Sequence, residues 1–332
     1  MRRPQYLSPT ALAMFYKDRS AFYLQRMADH PAPGPPQTQP MSIGSAFDAF
    51  IKSYLVKELF DQSRPEFDLR TLFENQVEEH NRDWAWKHGA YVFHCYGESG
   101  ATADLLLELE KAIEEPRFEF TIEGMIPHTS LAEGIPVLGK PDVMFKTEHN
   151  WVIYDWKVNG YCAKSPTSPK KGYIKCRDGW NSGNQSKNNG DAHKNCQLGL
   201  IDGIFVNTNI TLDQVDLTWA AQTGIYGWTL GIPIGSEFVV GIDQLVGKPI
   251  GGDYPLIRVA SHRCIISAEY QQTLLDRLAK AWSIIHSEHI FDDMTLEDSL
   301  QRCITLDNVY KAYEGDTPAD KFFRTMNKHR GF

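Results

Sequence analysis

Three residues near the middle of the chain have the types and spacing that metal-assisted hydrolysis requires: Asp142, Asp155 and Lys157. They flank a polar turn, Lys146-Thr147-Glu148-His149-Asn150, that joins Ile135 to Phe145 with Trp151 to Val158. Both segments read as strands. In a symmetric hairpin centred between Glu148 and His149, opposed residue numbers sum to 297, so Asp142 faces Asp155. Opposed residues of an antiparallel pair hold their Cβ atoms about 4.5–5.5 Å apart. Lys157 follows Asp155 by two, and the strand period puts it on the same face.

Two carboxylates so close repel, and one takes up a proton unless a cation lies between them. A hard divalent ion with few protein ligands and several waters, Mg²⁺ or Mn²⁺, meets that need. The alternative is a surface hairpin with a cross-strand ion pair. The neighbours Val143, Met144, Phe145, Val152, Ile153, Tyr154 and Trp156 weigh against it, because unpaired carboxylates are costly in an apolar hairpin.

The elements around this hairpin follow from spacing and punctuation. Ser8-Pro9 is a helix entry, with Ser as the cap and Pro at the first helical position. Five prolines between Pro31 and Pro40 make an extended linker. Helical spacing then predicts helices over about 43–60, 69–83 and 103–113. Alternation predicts a strand from Phe118 to Met125. From Asn159 to Cys196 the periodicity disappears, and seven basic residues face two acidic ones: Lys164, Lys170, Lys171, Lys175, Arg177, Lys187 and Lys194 against Asp178 and Asp191. The segment reads as a long mobile loop. Leu198 to Ile204 reads as a buried helix. Thr211 with Gln214 is a capping box opening a helix to about Leu230. Phe238 to Leu245 and Ile257 to Ile266 read as a hairpin, and Ser267 caps a strong final helix. The last forty residues carry no clear pattern.

The whole chain has 332 residues, 42% of them hydrophobic and 23% charged, as expected of a globule with a real core. No apolar run is long enough to span a membrane, and the first residues lack a secretory signal, so a cytoplasmic protein without membrane contact is expected. The net charge of −8 excludes a protein that coats nucleic acid through phosphate contacts alone. It allows an enzyme that reaches nucleic acid through metal ions and one basic surface. The six cysteines form no CxxC pair and read as free thiols. Cys162, Cys176, His193 and Cys196 share the basic segment, but their spacing matches no standard zinc pattern.

Gly139-Lys140-Pro141-Asp142 followed by Asp155-Trp156-Lys157 resembles the signature of the PD-(D/E)XK nuclease superfamily, in its RecB-type and phage recombination exonuclease branch. Glu123 fits the acidic position on the preceding strand. Gln222-Thr223-Gly224-Ile225-Tyr226 fits the Gln-x-x-x-Tyr motif on a following helix. Leu7 to Leu12 and Ile43-Gly44-Ser45-Ala46-Phe47 resemble the opening helix and the Gly-x-x-Phe-His segment, with Asp48 where the family often has His. The resemblance covers roughly residues 6–290.

It implies an α/β fold with a restriction-endonuclease-like core, a central mixed sheet flanked by helices and an N-terminal helical region. The expected divisions are 1–115 for the helical region, 116–292 for the core with its basic loop 159–196, and 293–332 for an extension. The implied activity is Mg²⁺- or Mn²⁺-dependent hydrolysis of DNA, as an exonuclease in recombination, repair or phage replication, with a recombination or replication protein as a further partner. Asp142, Asp155 and the Trp156 carbonyl are the implied metal ligands; Asp48, which departs from the family's His, is either a further ligand, since Asp binds Mg²⁺ as well, or a helix-surface carboxylate or one paired with a nearby Lys or Arg. Lys157, Glu123, Gln222 and Tyr226 complete the site, and Lys164, Lys170, Lys171, Lys175 and Arg177 of the basic loop are expected to grip phosphates; if these charges only keep the loop solvated, DNA contact falls to another surface such as the stripe of Arg258, His262 and Arg263. Some relatives carry an iron–sulfur cluster on cysteines grouped near the C-terminus. Here only Cys264 and Cys303 lie late and they are far apart, so no cluster is expected. Two rivals remain: a binding module of the same fold that has lost catalysis, and a two-carboxylate glycosidase. A pure binder has no need to crowd carboxylates where phosphates sit, and a glycosidase needs neither Lys157 nor a basic loop.

Overall fold

The computed structural model describes residues 1–60, 64–178 and 196–329. At its centre is a six-stranded mixed sheet formed by β1 (Arg117–Phe118), β4 (Val143–Lys146), β5 (Trp151–Asn159), β9 (Val239–Lys248), β10 (Leu256–Cys264) and β6 (Lys175–Asp178), in that spatial order. β5 and β9 are parallel, and the other neighbours are antiparallel. Two small hairpins stand apart, β2 (Ile122–His128) with β3 (Leu131–Gly139) and β7 (Leu198–Ile201) with β8 (Ile204–Asn207).

The N-terminal region is helical: α1 (Pro9–Lys17), α2 (Arg19–Phe22), α3 (Gln39–Leu59), α4 (Leu69–Gln76), α5 (Arg82–Glu98) and α6 (Ala101–Leu109). Between β8 and β9 lie α7 (Leu212–Val215) and α8 (Leu217–Thr229), and α9 (Ala268–Ser287), α10 (Leu296–Ala312) and α11 (Pro318–His329) follow β10. Strand alternation sorts β5 between the two faces of the sheet. Val152, Tyr154 and Trp156 pack with Phe47 and Ile51 of α3 and Val92 and Tyr96 of α5. Ile153, on the opposite face, packs with Trp219 and Tyr226 of α8. A third cluster joins Phe15 and Phe22 to Leu278 and Ile285 of α9 and Phe322 of α11, so buried contacts run from the first helices to the last.

The caps explain several boundaries. Ser8 Oγ accepts from Ala11 N–H at 3.1 Å, as its position before Pro9 predicts. The Thr211–Gln214 capping box is present, but its helix ends after one turn, because Asp216 caps a new one through Thr218 and Trp219 N–H. The hairpin of β4 and β5 has the predicted register, with Val143 opposite Tyr154 and Lys146 opposite Trp151.

Other expectations need correcting. Leu198 to Ile204 is part of a hairpin: Asp202 and Gly203 both have positive φ, 47° and 81°, and make a two-residue turn. The expected strand from Phe118 to Met125 is broken, with β1 and β2 in different sheets. Helix α5 falls where no helix was expected. The segment 159–196 is not wholly loop, since its residues 175–178 form the edge strand β6 on β10. Lys187, His193 and Lys194 lie outside the described residues. Among the described residues no helix is long and apolar enough to cross a membrane.

Candidate active site

Asp142 lies one residue before β4, where the strand register leaves it opposite Asp155. The two line a pocket of about 370 Å³ between α3, the end of β5 and α8, together with Asp48, Lys52, Gln76, Glu119, Lys140, Lys157 and Gln222. Trp156 N–H donates to Asp142 Oδ2 at 3.3 Å. An extended residue points its N–H and C=O to the same edge, so the Trp156 carbonyl faces that gap too.

On the α8 side, Lys157 Nζ is 2.6 Å from Asp155 Oδ1 and donates to Gln222 Oε1 at 2.9 Å. Gln222 Nε2 donates to Asp155 Oδ2 and to Tyr226 Oη, each at 3.0 Å. The four-residue spacing of Gln222 and Tyr226 on one helix face lets Tyr226 hold Gln222 against Asp155 of β5. Gly139 permits this closeness, since a Cβ there would lie 2.7 Å from the Tyr226 ring.

On the α3 side, Lys52 Nζ sits among three carboxylates. It is 2.7 Å from Asp48, 3.1 Å from Asp142 Oδ1 and 3.5 Å from Glu119. Gln76 Nε2 donates to Asp48 Oδ2 and Glu119 Oε2, both at 2.9 Å. Lys140 pairs with the other oxygen of Glu119.

Burial and charge set the protonation. Burial, reinforced by the charge of Asp142, pushes Asp155 up to about 7. Burial does the same to Asp48, also to about 7, against the pull of Lys52. Burial would raise Asp142 as well, but Lys52 and Lys157 outweigh it and hold its carboxyl below the usual range. Burial disfavours the Lys157 ammonium, yet Asp155 and Asp142 prevail and raise its pKa, so it is a proton donor at neutral pH. Burial pushes the Tyr226 phenol up to about 12 and keeps it protonated.

The sequence assigned the acidic strand position to Glu123, and the structure does not. Glu123 is exposed on β2, opposite Leu138, and does not line the pocket. Glu119 lies there instead, four residues earlier, at a kink with φ 46° whose N–H donates to the Asp142 carbonyl at 3.0 Å. Asp48 does reach the pocket, held by Lys52 and Gln76. Glu119, Lys52, Gln76 and Lys140 were missed. For Lys52 the one available signal was its place four residues after Asp48 on the same helix face.

The basic residues are only partly free for a ligand. Lys170 pairs with Asp216 at 3.1 Å and Lys175 with Asp104 at 2.9 Å, while Lys164 and Lys171 are exposed. Arg177 on β6 pairs in backbone register with Val259 on β10, and Lys164, Lys170, Lys171 and Lys175 do not line the pocket. The stripe of Arg258, His262 and Arg263 is not a surface. His262 is fully buried, Arg263 is 1% exposed, and Arg258 Nη2 donates to the Thr167 carbonyl.

Among the described residues no group of three or more His, Cys, Asp or Glu side chains is gathered to enclose a metal by itself. The donors suit a hard ion that keeps most of its waters: two opposed carboxylates, Asp142 and Asp155, and the Trp156 carbonyl. Asp155, 2% exposed and made hard to ionise by burial first and by the charge of Asp142 second, is the group a cation would relieve most.

No protein-family model matches the chain, and no curated protein matches it. A solved structure titled "Crystal structure of SSO0001" aligns with 83% of this chain and 86% of its own, at 9% identity and a TM-score of 0.26. A score that low does not establish a shared fold.

Proposed function

We propose that the chain is a metal-dependent DNA nuclease with a restriction-endonuclease-like core of the PD-(D/E)XK type. One observation carries the reading. Asp142 and Asp155 oppose each other in register at an open pocket, and Lys157 and Gln222 are joined to Asp155 by direct contacts. Asp142, Asp155 and the Trp156 carbonyl would hold Mg²⁺ or Mn²⁺. When bound, the ion polarises the scissile phosphoryl oxygen and stabilises the leaving oxygen.

The chain's own residues do the rest. Lys157, charged at neutral pH, donates to the attacking water and the phosphate, so its role is to orient and stabilise rather than to take a proton. Gln222 holds Lys157 and Asp155 at fixed distances from each other, and Tyr226 holds Gln222. Exonuclease action on DNA in recombination, repair or phage replication, beside a recombination or replication protein, is the role we propose for this chemistry. The test is cleavage of linear DNA with Mg²⁺ and with EDTA, for the wild type and Lys157→Ala. Mg²⁺-dependent cleavage lost in the variant supports the reading, and DNA binding without cleavage points to the inactive module.

A further inference from the structure

The α3 side of the pocket is not needed to bind the ion just described, yet it is the most elaborately built part of the site. Lys52 is 1% exposed, on a stretch of α3 where Ala49, Ile51, Leu55 and Val56 are buried too. Its stem is packed, so the ammonium cannot swing out to solvent. Within 3.5 Å of Nζ lie carboxylate oxygens of Asp48, Asp142 and Glu119.

Nitrogen donors already use the oxygens that face this space. Lys52 takes Asp142 Oδ1 and approaches both oxygens of Asp48 at 2.7 Å. Gln76 spans Asp48 and Glu119, and Lys140 takes the remaining Glu119 oxygen. A metal ion placed here would have to displace a buried ammonium and break the Gln76 bridge.

We infer that the Lys52 ammonium is the built-in cation of the Asp48–Glu119–Asp142 cluster, standing where a second metal ion would otherwise bind, so that the site takes a single divalent ion on Asp142 and Asp155. The inference rests on the metal-dependent reading of the pocket and deepens it. Lys52 is in these terms a positioning residue: it fixes one oxygen of Asp142 and leaves the other toward Asp155.

The experiment is Mn²⁺ titration of the full chain by calorimetry and electron paramagnetic resonance. One ion per chain with an uncoupled six-line spectrum is expected. Two ions with a spin-coupled spectrum, or no binding at all, overturn the inference. In Lys52→Met the three carboxylates lose their ammonium, and the stoichiometry should rise from one to two. A variant that stays at one ion with unchanged affinity also overturns it. If Lys52→Met does not fold, the wild-type stoichiometry still decides. DNA cleavage by the same preparation separates the two proposals. A chain that binds one ion and cuts no DNA keeps this inference and loses the nuclease reading. A chain that cuts DNA with two bound ions does the reverse.

Discussion

Replacing Arg263 with Met tests whether the β10 arginine is core or DNA contact. Arg263 Nε donates to both oxygens of Glu108 at 2.9 Å, Nη1 to Asp243 Oδ1 at 3.0 Å, and Nη2 to Tyr154 Oη at 2.6 Å. Asp243 is fully buried, and Tyr96 and Tyr154 donate to its other oxygen, each at 2.5 Å. Arg263→Met conserves much of the volume but strands Asp243 with no cation. Removing one partner of a buried ion pair destabilises by about 3–5 kcal/mol. At roughly 2–4 °C per kcal/mol for a chain somewhat shorter than this one, the thermal midpoint should fall by about 10 °C. Thermal unfolding followed by circular dichroism reads the loss, and DNA binding below the midpoint should keep its salt dependence. An unchanged midpoint with a salt slope reduced by about one unit would refute the buried-network reading and restore Arg263 as a phosphate contact.

The same structure sets two further expectations. Asp155 has a folded pKa raised to about 7 from 3.8, so the stability it contributes is fully present below about pH 4 and lost as pH rises toward 7. Metal-free Asp155→Asn should therefore match the wild type near pH 4 and exceed it at pH 8, by at most about 4 kcal/mol; a variant less stable at pH 8 by urea unfolding contradicts this sign. On the basic segment, Lys164→Ala with Lys171→Ala should flatten the salt dependence of duplex DNA binding by about two units, at about 0.9 per phosphate. Lys170→Ala with Lys175→Ala should flatten it less, because Asp216 and Asp104 already pair with those lysines. Equal effects in fluorescence anisotropy would show that the ion pairs do not hold when DNA binds.

The sequence was most informative where geometry follows from counting. The hairpin register placed Asp142 opposite Asp155, and the four-residue step placed Gln222 beside Tyr226. It misled where a backbone turn breaks the count. The kink at Glu119 separates β1 from β2, so the strand on which the resemblance placed Glu123 is not continuous with the central sheet, and Glu119 lines the pocket in its place. The Asp202-Gly203 turn was itself a hairpin signal, hidden inside an apolar run that also suits a buried helix. Helix α5 escaped notice because small residues carry much of its buried stripe, Ala85 and Gly89 before Val92 and Tyr96. Gly89 lies so close to α3 that a Cβ there would meet that of Ala46 at 2.6 Å. Lysine type and helix position alone give no sign that Lys52 is buried, and only the packed structure reveals the carboxylates around it.

In the proposed reading, Asp142, Asp155 and Lys157 form the catalytic centre of a metal-dependent DNA nuclease. The most direct measurement is the rate of linear DNA degradation by the wild type and Lys157→Ala, each with Mg²⁺ and with EDTA, after circular dichroism has shown that the variant is folded. Degradation by the wild type with Mg²⁺ only is expected, with a loss of at least about 100-fold in the variant, the scale on which removing one group that stabilises the reacting charge acts. Wild-type rates in folded Lys157→Ala, or degradation that persists in EDTA, would contradict it.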